Sequence, residues 1–159
     1  MNRDDRRTEL YPDLVRAGSL AAALDEELSR GGSELRASRD FYGAKSINFA
    51  SVARGPRTAQ VLIGLEERVF ILSLWENQVE MADGDTPDLS DVAAAIGLVL
   101  ENGDRRISDL AAEIPLLELD EFALSYERGT YIEDKWQSLL ARTAKESGNE
   151  ASIGTSSPS

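Results

Sequence analysis

A chain of 159 residues with 42% apolar content is long enough to bury one core without disulfides or a structural metal. It contains no cysteine and no histidine, which excludes disulfides, thiolate metal sites, cysteine nucleophiles and the commonest general base and transition-metal ligand. Net charge is −12 and uneven: residues 1–75 hold 11 acidic and 11 basic side chains, residues 76–121 hold 13 and 2, and residues 122–159 hold 5 and 4.

The first residues, Met1 to Arg7, are charged and lack the apolar stretch of a signal peptide, and no run approaches the roughly 18 apolar residues of a membrane span. A cytoplasmic protein is the expectation. Pro12 suits the first turn of a helix, and Leu14, Ala17, Ala21, Leu24 and Leu28 follow at three- and four-residue spacing, so one amphipathic helix is predicted over 12–30, ended by Gly31-Gly32.

From Ser33 to about Ala82 the period becomes two, which predicts four or five antiparallel strands. Leu35, Ala37 and Phe41 mark the first, with a turn at Tyr42-Gly43-Ala44. Ile47, Phe49 and Ser51 mark the second, closed by Arg54-Gly55-Pro56-Arg57. Ala59, Val61, Ile63 and Leu65 share one face of the third, with Glu66-Glu67 at its tip. Val69 to Trp75 is almost wholly apolar, which predicts a strand covered on both sides. A short fifth strand is expected around Val79 and Met81, followed by a loop at 83–88.

Helical spacing returns with Leu89, Val92, Ile96, Val99 and Leu100 and stops at Asn102-Gly103; a shorter helix around Ile107, Leu110 and Ala111 stops before Pro115. A helical piece is expected over Asp120 to Arg128. A last helix opens at the capping-box sequence Thr130-Tyr131-Ile132-Glu133, with an apolar stripe of Ile132, Trp136, Leu139 and Leu140. The expected fold class is α+β: an N-terminal helix, a four- to five-stranded antiparallel meander and a C-terminal helical half. It forms one domain over 1–146, with a disordered tail at 147–159. Leu24, Ile63, Ile71, Val92, Ile96, Trp136 and Leu139 are predicted core residues.

Patterns that could carry chemistry are few. Asp83, Asp85, Asp88 and Asp91 invite a calcium reading, but in EF-hand spacing from Asp83 the glycine position holds Asp88 and the bidentate-glutamate position holds Ala94. Helix capping by Asp88 or Ser90 explains the cluster without an ion, so no metal and no cofactor is expected. Ile107 to Ile114 resembles the first helix of a helix-turn-helix, yet the segment that would read DNA, Leu117 to Arg128, carries four acidic residues and one arginine. Nucleic-acid and membrane partners are therefore not expected. Ser108 and Ser125 have no histidine to activate them, and the neighbouring Glu66 and Glu67 point in different directions, so no catalytic residue is assigned.

Two candidate binding surfaces remain. One is the acidic window, represented by Asp83, Asp85, Asp104 and Asp109, which would attract a basic protein or peptide. The other is the cluster Tyr126, Arg128 and Tyr131 around Gly129, since tyrosine and arginine are enriched at binding hot spots.

Three stretches carry a family resemblance: Tyr11-Pro12-Asp13-Leu14-Val15-Arg16-Ala17-Gly18-Ser19-Leu20, then Asp85-Thr86-Pro87-Asp88-Leu89, then Tyr126-Glu127-Arg128-Gly129 followed by Trp136. Over residues 11–141 the chain resembles an actinobacterial family of unknown function that is labelled "natural product biosynthesis protein". An arginine-rich composition, 14 Arg against 3 Lys, agrees with a GC-rich genome. The resemblance implies association with natural product biosynthesis and carries no catalytic residues with it. The expected function is a non-catalytic accessory protein that engages a protein or peptide partner through residues 76–121. The alternatives are an immunity- or antitoxin-like inhibitor and an enzyme that works with carboxylates or tyrosine.

Overall fold

The computed structural model describes residues 3–41 and 44–153, with side chains described for 5–40, 46–130 and 132–144. The fold is α+β: N-terminal helices, a five-stranded antiparallel meander and C-terminal helices. The chain divides into two compact units, Met1–Asp120 and Glu121–Ser159.

The first unit opens with α1 (Arg3–Leu10), α2 (Pro12–Ala17) and α3 (Leu20–Arg30). The single helix predicted over 12–30 is broken between α2 and α3. Gly18 takes φ +100, a left-handed conformation that costs glycine little. Ser19 then caps α3, its hydroxyl accepting from the Ala22 N–H at 3.1 Å. The apolar stripe survives the break, because Leu14, Leu24 and Leu28 are all buried.

A small hairpin follows, β1 (Asp40–Phe41) with β2 (Ala44–Lys45), and Ser38 bridges to Ser51. The turn predicted at Tyr42-Gly43 falls outside the described residues. The main sheet runs β3 (Phe49–Arg54), β4 (Arg57–Ile63), β5 (Phe70–Glu76), β6 (Val79–Thr86) and, after two helices, β7 (Leu117–Leu119), in spatial order β3-β4-β5-β6-β7. Between β5 and β6 the turn residues Asn77 and Gln78 both have positive φ, 49° and 68°, the backbone that a two-residue hairpin requires.

Two expectations fail here for definable reasons. Residues 83–86 are not loop: β6 continues to Thr86 because β5 pairs along it as far as Phe70 opposite Thr86, and β7 pairs on its other side with Asp83 opposite Glu118 and Gly84 opposite Leu117. The approach is close at Gly84, where a Cβ would stand 2.1 Å from the Leu116 carbonyl oxygen. The second failure is β5, which is not covered on both sides. Phe70, Leu72 and Leu74 are buried, while Ile71 between them is 42% exposed.

Two helices lie between β6 and β7: α4 (Leu89–Leu100) and α5 (Ile107–Ala111). With α3 they cover one face of the sheet, and Leu24, Val61, Leu72, Leu74, Val92, Ile96 and Leu110 form the core between the layers. Ile63 is only half-buried. Leu117–Leu119 being a strand removes the second helix of the helix-turn-helix pattern.

The second unit holds α6 (Ala123–Arg128) and α7 (Tyr131–Ile153). The tail expected from 147 is helical as far as Ile153, and 154–159 lie outside the described residues. At the start of α7 the Thr130 hydroxyl donates to the Asp134 carboxylate at 3.0 Å. Trp136 and Leu139, predicted as core, are 60% and 43% exposed, and Ile132 and Leu140 are exposed beside them. No helix among the described residues is long and apolar enough to cross a membrane.

Candidate functional site

Strand pairing decides which residues share the uncovered face of the sheet, because side chains alternate along each strand and directly paired residues point the same way. Phe49 on β3, which is buried, then Leu62 on β4, Ile71 on β5 and Asp85 on β6 make one row, so the face is open from β4 to β7 and covered at β3 where Phe49 lies. Gln60, Ser73, Asp83 and Glu118 make the next, and Thr58, Trp75 and Glu80 a third. Leu62, Ile71, Asp83, Asp85 and Glu118 are exposed.

This face is polarised. Its carboxylates, Glu80, Asp83, Asp85 and Glu118, all come from β6 and β7, and its exposed apolar pair comes from β4 and β5. The cationic side chains of β3 to β7 are Arg54 and Arg57, which pair in register, and the Arg57 guanidinium is buried on the helix-covered side. Over β6 and β7 there is a shallow concavity of about 390 Å³ lined by Ile71, Ser73, Asp83, Asp85, Pro115 and Glu118. Glu80 bears the electrostatic cost of the crowding: partial burial, then the charges of Asp83 and Asp120, hold its carboxyl above the ordinary value of 4.5.

Asp104 and Asp109 lie elsewhere. Both are exposed, one in the α4–α5 connection and the other on α5, which packs beside α4. Their local partner is Arg105, whose guanidinium is held above its ordinary value first by its hydrogen bond to Glu113 at 3.0 Å and then by the charges of Glu113, Asp109 and Asp104. The four predicted aspartates therefore form two pairs: Asp83 and Asp85 on the open sheet face, and Asp104 and Asp109 on the helical layer.

In the second unit, Tyr126 is half-buried on α6, and Arg128 is exposed with its guanidinium 3.8 Å from the Asp134 carboxylate. The Tyr131 side chain lies outside the described residues. Asp134 is held below its ordinary value by hydrogen bonds from Ser125 and Thr130, so this corner is shaped first as a helix junction.

Two of the stretches that carry the family resemblance meet at Arg68, which the sequence reading did not single out. Its guanidinium makes a two-pronged ion pair with Asp13 at 2.8 and 3.0 Å, donates to the Leu10 and Pro87 carbonyls, and lies over the Tyr11 and Phe70 rings. The buried Tyr11 hydroxyl donates to the Gly64 carbonyl at 2.5 Å and accepts from the Val69 N–H at 3.0 Å. Asp88 caps α4, accepting from the Ser90 N–H at 2.9 Å, and its carboxyl is held below the usual range by the Ser90 hydroxyl and then that N–H. Tyr11, Asp13, Pro87 and Asp88 thus tie the N-terminal helices and the start of α4 to the β4–β5 turn, which is work for the fold.

Among the described residues there is no group of three or more carboxylates disposed to hold a metal ion. No family model matches the chain, and comparison with curated proteins and with solved structures found no match.

Proposed function

We propose that this is a non-catalytic binding protein that engages a basic protein or peptide partner through its acidic half, residues 76–121. In keeping with the resemblance noted in the sequence, it would serve as an accessory protein in natural product biosynthesis. One observation carries the reading: Asp83, Asp85 and Glu118 are exposed and make no ion pair among the described residues, and Asp104 and Asp109 are exposed with only the charge of Arg105, itself bonded to Glu113, to share. Acids that served only to cap helices or balance internal cations would be engaged, as Asp88 is by Ser90 and Glu76 by Arg57 at 3.0 Å. An uncompensated negative surface steers a cationic partner and repels phosphate backbones.

The test compares two baits. The wild-type protein and the variant Asp83→Asn, Asp85→Asn, Asp104→Asn, Asp109→Asn are used to capture proteins from the native host at low salt. A basic partner held by the wild type, released by moderate salt and missing from the variant supports the reading. Identical captures on both baits, with equal resistance to salt, contradict it.

A further inference from the structure

The geometry points to the open face of the sheet as the docking surface, and to a basic, partly apolar protein segment as its occupant. Apolar side chains of that segment pack on Leu62 and Ile71, and a lysine or arginine is received over β6 and β7 by Asp83, Asp85 and Glu118. The inference rests on the proposed function and assigns it a place.

Three features single this face out. Leu62 and Ile71 are register partners, 43% and 42% exposed, so they form one contiguous apolar patch rather than two scattered residues. Asp85 pairs with that Ile71 from the neighbouring strand, with Asp83 and Glu118 in the next row, so the apolar and acidic halves are separated by a single strand spacing, roughly 5 Å. The concavity of about 390 Å³ takes in both halves, since Ile71, the carboxylates of Asp83, Asp85 and Glu118, and Pro115 all line it. A long cationic side chain suits such a boundary, because its methylene stem packs on apolar surface while its charged end reaches the carboxylates.

Charge complementarity fixes the sign of the occupant. The strands place four carboxylates on this face and no cation, so an acidic or neutral segment would leave them desolvated without a partner, whereas a basic one completes them. The helical layer offers no comparable combination at Asp104 and Asp109, because Arg105 stands between them with its own charge. Glu80 adds to the preference: it is partly buried beside Asp83 and Asp120, and a nearby cation relieves that repulsion.

The experiment titrates the isotope-labelled full chain with a short amphipathic helical peptide built from leucine and lysine, while its glutamate-for-lysine analogue serves as control. The expected result is salt-sensitive binding of the lysine peptide alone, with amide shifts concentrated at Leu62, Ile71, Asp83 and Asp85. Ile71→Ser and the pair Asp83→Asn, Asp85→Asn should each weaken it about tenfold, and Asp104→Asn with Asp109→Asn should change it by less than about twofold. Thermal unfolding of each variant checks that the fold is retained, and Leu62→Ser replaces Ile71→Ser if the latter fails to fold. Binding abolished by Asp104→Asn with Asp109→Asn and indifferent to Ile71→Ser and Asp83→Asn overturns the placement on the sheet and leaves the acidic-half reading standing. Absence of binding up to about 1 mM, or binding indifferent to salt and to every acid, overturns both.

Discussion

Arg57 shows how a residue whose surroundings in sequence read as a turn can hold a fold together. Its buried guanidinium donates to the Glu76 carboxylate at 3.0 Å and to the carbonyls of Val99 at 2.8 Å, Asn102 at 3.0 Å and Arg105. The end of α4 and the chain after it would otherwise present carbonyls with no donor. Replacing it by alanine strands those acceptors and an acid, so Arg57→Ala should lower the unfolding free energy by about 3–5 kcal/mol, read from a denaturant melt. Glu80 makes the opposite kind of prediction. A carboxyl with a folded-state pKa above its unfolded value binds its proton more tightly when folded, so its stabilising contribution is full below about pH 4.5 and is lost as pH rises through the folded value. Glu80→Gln should therefore raise the melting temperature at neutral pH, with the gain vanishing on acidification. Asp13 runs the other way: its hydrogen bond from Arg68 depresses its pKa, so the stability it lends is present above the ordinary 3.8 and lost as pH falls further. A melting-temperature series from pH 3 to 7 on the wild type, Glu80→Gln and Asp13→Asn reads both signs.

At the scale of elements, the order and type of the long segments were legible, because a period of 3.6 in α3 and α4 and of 2 in β4 reflects one face held against the core. What was not legible has physical causes. The all-apolar run of β5 is what a doubly covered strand would show, and only the single helical layer reveals that Ile71 faces outward. β7 spans Leu117–Leu119, too few residues to display a period, yet its pairing with Ala82–Gly84, together with that of β5 with Asp83 and Asp85, turns these aspartates from presumed loop residues into strand residues of fixed direction. For that reason the candidate aspartates could be named from composition, whereas their division between sheet and helix could not. Leu62 and Glu118 were missed because their significance lies in register with residues distant in sequence. The stripe on α7 has correct helical spacing and is nonetheless exposed, since periodicity reports an apolar face and not what covers it. These distinctions are measurable: Leu72→Ala should cost about 2–5 kcal/mol, whereas Ile71→Ala and Trp136→Ala should each cost less than about 1 kcal/mol in the same denaturant series.

Across the whole molecule, the excess of negative charge is a local property. Residues 76–121 carry 13 acidic and 2 basic side chains, against 11 and 11 in the 75 residues before them. Within a Debye length of about 8 Å at physiological salt, such a field guides encounters more than it holds complexes. The account therefore places the effect of the acids in the rate of association. Its most direct test is the association rate constant of the captured partner, measured across a salt series for the wild type and for Asp83→Asn, Asp85→Asn, Asp104→Asn, Asp109→Asn. The account predicts a rate that falls steeply with salt for the wild type, and one that is lower at low salt and flatter for the variant, with dissociation rates changing far less. An association rate indifferent both to salt and to the four substitutions would contradict it, leaving the acidic window as solvated surface and Tyr126 and Arg128 as the next residues to test.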